Sequence, residues 1–120
     1  MSSLRNSRVL IARTNGKIVA TLNLTTKKPW AIHPAYFTKV RRPLYLLAMA
    51  VAPDKQRMRI GRRLLDEARS IAQAWPCDAI RLDAYDAKAG AGGFYAKCGY
   101  REVGRVTYRK APLIYFESLL

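Results

Sequence analysis

A run of eight almost continuously apolar residues, at positions 44–51, constrains the fold more than any other segment of the chain. It is too short to span a membrane, and its length suits a central strand that is buried on both faces. Pro53 ends this strand. From Gln56 onward apolar residues recur at intervals of three and four, which predicts an amphipathic helix that Pro76 ends. A short alternating segment at 79–84 predicts a second strand, so the order strand, helix, strand implies a right-handed crossover between parallel neighbours.

The segments on either side of this unit predict further strands. Asn15 and Gly16 stand between two β-prone runs, a strong signal for a hairpin of strands 8–13 and 18–24. Residues 25–42 are rich in cations and prolines and predict a long loop. The other predicted elements are a short helix at 89–97, which Gly99 ends, and two strands at 101–108 and 113–118. Residues 1–120 are therefore predicted as one α+β domain, with a mixed, mostly antiparallel sheet around a central βαβ unit.

Positive charge is concentrated in two parts of the chain. The net charge is +14, no acidic residue precedes Asp54, and residues 55–63 hold five cations and no acid. Such a field attracts nucleotides, nucleic acid or acidic protein surfaces, although a basic surface can also serve solubility alone.

The junction between the apolar strand and the long helix can bind phosphate. The first turn of a helix exposes unpaired N–H groups and the positive end of the helix dipole, which together bind anions. Gly61 would let a ligand approach the backbone closely. No phosphate-binding loop with Gly-Lys-Ser or Gly-Lys-Thr is present, and a dinucleotide-binding glycine fingerprint is absent as well. A basic surface turn before a helix is the alternative interpretation.

Two segments resemble motifs of the GNAT acetyltransferases. VAPDKQRMRIGRRLLDEA, at 51–68, is similar to motif A of that family, in which valine, any residue and proline precede Gln/Arg-x-x-Gly-x-Gly/Ala. FYAKCGYREVGR, at 94–105, is similar to the downstream motif Phe-Tyr-x-x-x-Gly-Phe. The resemblance covers roughly residues 8–118 and implies the acyl-CoA N-acyltransferase fold. Because the first hairpin already begins near residue 8, it implies that fold without its usual first strand and two helices.

The resemblance implies acetyl-CoA as cosubstrate and assigns residues to its binding. The strand residues Met49, Ala50 and Val51 would offer backbone groups to the pantetheine arm. The residues that would wrap the pyrophosphate are Gln56, Arg57, Met58, Arg59, Ile60, Gly61 and Arg62.

The resemblance also implies catalytic residues. Tyr95 matches the tyrosine that acts in many members as a general acid toward the departing thiolate, although it could simply pack. Asp83 occupies the strand position where some members carry the carboxylate base, although it could instead be a surface carboxylate paired with Arg81 or Lys88. Other carboxylates, such as Asp86 and Glu102, are poorer candidates for the base.

The chain departs from the family pattern at three points. Arg59 stands where motif A usually has its first glycine, which crowds the pyrophosphate but adds a guanidinium that could bind it. Lys88 replaces an asparagine that often precedes the tyrosine-bearing helix. The usual N-terminal helices form one wall of the acceptor cleft, so here the wall would come from another subunit or from the loop at 25–42, or a large acceptor would bind an open face. An inactive member of the family is a further alternative.

The predicted function is acetyl transfer from acetyl-CoA to a primary amine by direct attack on the thioester. The positive field favours anionic or neutral acceptors over polyamines. Two alternatives are a non-catalytic acetyl-CoA-binding protein and a basic nucleic-acid-binding module on the same scaffold. The apolar end of the chain, at 111–120, predicts an exposed edge strand and a homodimer.

The two cysteines, Cys77 and Cys98, have no metal-ligand spacing and predict reduced, partly buried thiols in a cytoplasmic protein. A Cys–His nucleophile is not favoured, because His33 lies in a proline-flanked loop with no orienting group. No metal site, membrane segment or signal peptide is expected.

Overall fold

The computed structural model describes residues 7–55, 59–87 and 92–120, which form six strands and two α-helices. They follow one another in the order that the sequence predicts. Single 3₁₀ turns lie at Pro34–Tyr36 and Pro53–Lys55. Along the chain the elements are β1 (Ser7–Thr14), β2 (Lys17–Thr25), β3 (Pro43–Val51), α1 (Ile60–Ala74), β4 (Ala79–Tyr85), α2 (Gly92–Lys97), β5 (Arg101–Tyr108) and β6 (Ala111–Leu119).

The six strands form one sheet in the order β1-β2-β3-β4-β6-β5. Only β3 and β4 are parallel, and the other neighbours are antiparallel. This confirms the mixed α+β fold and the parallel pair around α1. In the first hairpin Asn15 and Gly16 both have positive φ, 52° and 80°, as the tight turn of a two-residue hairpin requires.

The prediction that the last strand lies at an edge is wrong. β6 lies between β4 and β5, and the edges of the sheet are β1 and β5. Residues 114–118 of β6 are all buried, as an inner strand that is covered on both faces requires.

Each face of the sheet has its own cover. α1 presents Leu64, Leu65 and Ala68 to strand residues such as Leu22 and Ile80, and α2 joins the same cluster. We call this side the helical face. The opposite side carries a smaller cluster of four buried residues beneath the loop between β2 and β3, and we call it the loop face. The members of that smaller cluster are Ile32, Phe37, Tyr45 and Tyr115.

Two local predictions need correction. The apolar strand is buried on both faces only at 44–46, and its second half alternates between half-buried and exposed residues. The long helix begins at Ile60 rather than near Gln56, because Arg59 has left-handed backbone dihedrals, φ 60° and ψ 17°. Gln56 itself, with Arg57 and Met58, lies outside the described residues.

Candidate active site

β3 and β4 pair at one end only and leave an opening at the other. Three register pairs join the two strands, and the last pair is Tyr45 with Arg81. Beyond it β3 continues beside β2 as far as Val51, and β4 continues beside β6 as far as Tyr85. Within the described residues no register pair joins the second halves of β3 and β4, so two strand edges face each other. A substrate arm that carries amide groups can bind such an edge as an added strand does.

A bulge in β3 helps to form the opening. Ala48 has φ 52°, and the register with β2 shifts by one residue at this point. A bulge bends its strand and increases the local twist, so β3 turns away from β4. The predicted pantetheine-binding residues Met49, Ala50 and Val51 follow directly after the bulge. The structure therefore places these three residues at the opening.

The N-terminus of α1 lies beside the same part of β3. Gly61 is buried, and a Cβ atom on it would meet the Cε atom of Met49 at 3.0 Å and the Cζ atom of Phe94 at 3.1 Å. A larger residue would therefore require the side chains of Met49 and Phe94 to shift by a few tenths of an ångström. The first turn carries no acidic residue, while Arg62 is exposed there, so the charge of this helix end suits an anion. The predicted pyrophosphate-binding residues 59–62 all lie at this end.

Arg59 immediately precedes α1 in a conformation that glycine adopts more easily. Its φ is 60°, its side chain is exposed, and it makes no side-chain cap hydrogen bond. Its carbonyl accepts the hydrogen bond of the Arg63 N–H at 3.1 Å, which starts the helix. A left-handed backbone costs about 1–2 kcal/mol for a residue with a Cβ atom. The family pattern carries a glycine at this position, and the dihedral supplies a physical reason for it.

Tyr95 lies on α2 with its hydroxyl directed at the opening. The side chain is 6% exposed, and its ring packs against Phe94, Tyr100 and Phe116 at centroid distances of 5.4, 6.0 and 5.9 Å. The hydroxyl lies 3.5 Å from the Sδ atom of Met49. Burial, with a smaller effect of the Asp83 charge, raises the pKa of Tyr95 to about 12. The phenol is therefore protonated throughout the neutral range, as a proton donor must be.

Asp83 approaches the opening from the other face of the sheet. It pairs with Tyr115 across β4 and β6, whereas its neighbours Leu82 and Ala84 belong to the core of the helical face. The carboxyl group is half-buried, and burial raises its pKa above the ordinary value, against an opposing hydrogen bond from its own backbone. The Asp83 charge contributes, after burial, to the raised pKa of Tyr95. The structure thus brings both predicted catalytic residues to one opening, on opposite sides.

The alternatives for these carboxylates can be compared. Asp83 forms no ion pair in the described part of the chain, and the Arg81 guanidinium instead donates to the Tyr45 hydroxyl at 3.1 Å and to a loop carbonyl. Lys88, the other suggested partner, lies outside the described residues. Asp86 and Glu102 both contact Arg105, at 3.4 and 2.8 Å, and Glu102 has a lowered pKa because of that hydrogen bond. A carboxylate with a lowered pKa is a poorer base, so Asp83 remains the better candidate.

The loop between β2 and β3 packs on the loop face and is fixed there by a buried carboxylate. Glu117 on β6 is 1% exposed, and Thr38 donates to it from its backbone N–H at 2.9 Å and from its hydroxyl. Arg101 on β5 forms an ion pair with the same carboxylate at 2.9 Å. Burial opposes the charge of Glu117, but these hydrogen bonds outweigh burial and lower its pKa. The loop is thus held against β5 and β6 on the loop face, and its role as a wall of the acceptor cleft stays a prediction.

Sequence reasoning did not find the polar groups on the loop face, which include Glu117, Arg81 and the Tyr115 hydroxyl. Arg81 is 4% exposed and stacks its guanidinium over the rings of Phe37 and Tyr45, at 5.1 and 5.9 Å. The Tyr115 hydroxyl donates to the Ala31 carbonyl and accepts from a backbone N–H at 3.2 Å. The available signal was Glu117, the single charged residue of β6, and Arg81, the single cation of β4, since charged side chains are rarely buried without polar partners.

The cysteines and the histidine lie apart from these groups. Cys77 is buried and Cys98 half-buried, both are free, and burial raises the pKa of each thiol. Such thiols are poor nucleophiles at neutral pH. No three residues among the His, Cys, Asp and Glu of the described ranges gather as metal ligands would. In the same ranges no helix is long and apolar enough to cross a membrane.

Comparison with known proteins agrees with this fold. Residues 5–102 match the family model described as an acetyltransferase (GNAT) domain. The solved structure of an acetyltransferase from Bacillus cereus is 27% identical, with a TM-score of 0.75, and the match covers 97% of this chain and 74% of that one. An aminoglycoside 6′-N-acetyltransferase complexed with coenzyme A is 15% identical, with a TM-score of 0.74 and coverage of 94% and 72%. No curated protein sequence is significantly similar to the chain.

Proposed function

Because the chain belongs to the GNAT acetyltransferase family, we propose that it transfers an acetyl group from acetyl-CoA to a primary amine by direct attack of the amine on the thioester. The family makes acetyl-CoA the cosubstrate, as the two motifs predict. The observation that carries the proposal is the 3.5 Å approach of the Tyr95 hydroxyl to Met49 at the opening between β3 and β4. It brings a protonated phenol to the strand segment assigned to the pantetheine arm.

Two features support binding of acetyl-CoA along β3 and α1. The backbone of residues 49–51 borders the opening, where an arm with two amide groups could form strand-like hydrogen bonds. The N-terminus of α1, nine residues after Val51, offers N–H groups to a pyrophosphate, with Arg59 and Arg62 exposed beside it. The predicted contacts of 56–58 lie outside the described residues and remain predictions.

The chemical step requires two proton transfers. The amine nitrogen attacks the thioester carbon, the carbon–sulfur bond breaks, and the thiolate takes a proton from the Tyr95 hydroxyl. The attacking nitrogen loses a proton, and Asp83 would accept it directly or through a water molecule. The two groups approach from opposite faces of the sheet, so the amine and the leaving sulfur can occupy different sides of the opening.

The first test is binding of acetyl-CoA by calorimetry at moderate salt, with coenzyme A and a short oligonucleotide as comparisons. A panel of amines then follows by thiol release. Tyr95→Phe should leave cofactor affinity within about two-fold and lower turnover by about a hundred-fold or more, the usual contribution of an acid catalyst. The matched control is Tyr100→Phe, which removes a second buried phenol that lines a separate cavity. Equal losses in both variants would mean that the Tyr95 hydroxyl only supports packing.

The outcomes also separate the alternatives. Cofactor binding without turnover on any amine would indicate a non-catalytic acetyl-CoA-binding protein. Binding to the oligonucleotide without binding to acetyl-CoA would indicate a basic nucleic-acid module and would contradict the proposal.

We also propose that the protein is cytoplasmic and forms a homodimer. The two free cysteines support a reducing compartment. The exposed side chains of Ile11 and Ile18 near the β1 edge support self-association, because an edge strand can pair with a second copy. Light scattering that gives the mass of a monomer would contradict the dimer.

A further inference from the structure

We propose that a groove on the loop face holds the acceptor and selects the amino terminus of an acidic peptide. The inference rests on the proposed acetyltransferase function, since it names the acceptor for that site. The groove has a volume of about 610 Å³ and lies over β1, β2 and β3, beside the start of the loop. Its size is within the range of ligand-binding clefts.

A row of side-chain positions connects the groove to the opening. Val9 pairs with Asn23, and Asn23 pairs with Leu47, so these three residues lie side by side on the loop face. Tyr45 and Arg81 form the last pair of β3 and β4, so the next same-face positions are Leu47 and Asp83, on either side of the opening. A chain laid along this row would bring its end to the proposed base.

The groove is basic at the end that lies beside the end of β2. Lys27 and Lys28 line it with Arg8, and no acidic residue precedes Asp54 in the sequence. The Lys28 ammonium donates to the carbonyls of Pro29 and Ile32, at 3.0 Å each, which fixes its charge at this rim. An ammonium has three donors, so one is left for a carboxylate.

The groove also offers apolar contact. Trp30 is 85% exposed and Val9 57%, and both line the groove with Leu47. An exposed tryptophan next to fixed cations favours a partner that carries both apolar and acidic groups. A second copy of this chain would bring its own cations to the same face, so the charge disfavours that occupant.

The length of the row selects a peptide over a single amino acid. Neighbouring strands lie about 4.8 Å apart, so β2 lies about 10 Å from β4, and Lys27 lies four residues beyond Asn23, at most about 13 Å further along the chain of β2. An extended peptide advances about 3.4 Å per residue, so a carboxylate near the basic end belongs to about the fourth residue after the amine. We therefore expect the acidic side chain at the third to fifth position of the peptide.

Seven-residue peptides with a free amino terminus test this. Each carries one glutamate, moved from the second to the seventh position, in an otherwise uncharged sequence with a glutamine-only control. We expect kcat/KM to be highest with glutamate at the third to fifth position, about five-fold above the control, and to lose this advantage at high salt. Rates that do not depend on the position of glutamate would overturn the inference. A further peptide has an acetylated amino terminus and one lysine. If its lysine side chain reacts faster than the free amino terminus of the other peptides, the inference is overturned as well.

Variants locate the effect. Lys27→Gln should remove most of the advantage of the glutamate peptides over the glutamine peptide, while Lys17→Gln, at the far end of the hairpin, should keep that advantage. Trp30→Ala should weaken all peptides by about ten-fold without affecting the fold, because the side chain is exposed. An equal effect of Lys27→Gln and Lys17→Gln would mean that only the overall charge matters and would also overturn the inference.

Two separate measurements distinguish this inference from the proposed function. Peptide affinity is measured by calorimetry with and without coenzyme A, and acetyl-CoA affinity is measured alone. If acetyl-CoA does not bind, the proposed function is refuted. If peptide affinity does not depend on the glutamate or on Lys27, only the acceptor assignment is refuted.

Discussion

Replacement of Arg59 by glycine is expected to raise the stability of the protein and, at the same time, to lower its affinity for acetyl-CoA. A left-handed backbone costs a residue with a Cβ atom about 1–2 kcal/mol, and glycine avoids this cost. Glycine has more conformational freedom in the unfolded chain, which offsets about 0.5–1 kcal/mol of the gain. The net expectation is about 0.5–1 kcal/mol of added stability, or about 3 °C in Tm for a domain of this size.

The same change removes a guanidinium from the N-terminus of α1. The side chain is exposed and makes no cap hydrogen bond, so its charge is available to a phosphate. An exposed pair contributes about 0.2–1 kcal/mol, which corresponds to at most about a five-fold weaker affinity for acetyl-CoA. Arg59→Gly should therefore raise Tm in thermal unfolding without ligand and lower the affinity for acetyl-CoA in calorimetric titration.

Two further variants at Arg59 separate strain from charge. Arg59→Ala removes the charge but keeps the Cβ atom, so it should weaken binding as Arg59→Gly does without raising Tm. Arg59→Lys should leave both properties close to those of the native protein. If Arg59→Gly does not raise Tm above that of Arg59→Ala, the argument from the left-handed backbone is refuted. If Arg59→Gly binds acetyl-CoA as tightly as the native protein, Arg59 does not contact a phosphate.

Three other predictions concern Tyr95 and the attachment of the loop. Because the pKa of Tyr95 is about 12, the phenol stays protonated up to pH 10, and kcat/KM should not fall between pH 7 and 10 through its ionisation. A fall of kcat/KM near pH 9 that is absent in Tyr95→Phe would contradict this. Because the pKa of Glu117 is lowered on folding, its stabilisation is present above its unfolded pKa of about 4.3 and lost as the pH falls through the folded value. Glu117→Gln should therefore lower the free energy of unfolding by about 2 kcal/mol at pH 7 and by much less at pH 3, as chemical denaturation can show. Gly104→Ala should destabilise the protein by about 1–3 kcal/mol, since its Cβ atom would lie 2.5 Å from the Tyr36 ring, and an unchanged denaturation midpoint would show that the loop yields freely.

The elements were predictable because each has a local pattern. The apolar run at 44–51, the helical period before Pro76 and the Asn15–Gly16 turn each report on a short stretch of chain, and all three elements are present. Recognition of the family also followed from contiguous motifs, and the family match confirms it. The order of the strands was less accessible, because the inner position of β6 depends on pairs with β4 between distant residues. These pairs run from Tyr85 with Leu113, 28 positions apart, to Ala79 with Leu119, 40 positions apart.

The geometry of the candidate site was less predictable, since it depends on contacts between distant residues. Nothing in the sequence around Ala48 indicates a bulge, because alanine has no preference for a left-handed backbone. The half-burial of Asp83 and the sheet face on which it lies follow from the register, which a shift of one residue would reverse. The hydrogen bonds between Thr38 and Glu117 join positions 79 residues apart, beyond the reach of any local pattern.

Backbone strain gives an independent reason to place function at the opening. In the described part of the chain five residues other than glycine have positive φ, and three of them lie in the hairpin turns at Asn15 and 109–110. Chain reversal explains those three. The other two are Ala48, at the bulge of β3 directly before the residues assigned to the pantetheine arm, and Arg59, at the start of α1 among the residues assigned to the pyrophosphate. Costly backbone conformations persist where they shape a site, so a merely basic binding surface would leave both of them unexplained, whereas a cosubstrate that approaches the backbone of β3 and α1 accounts for both.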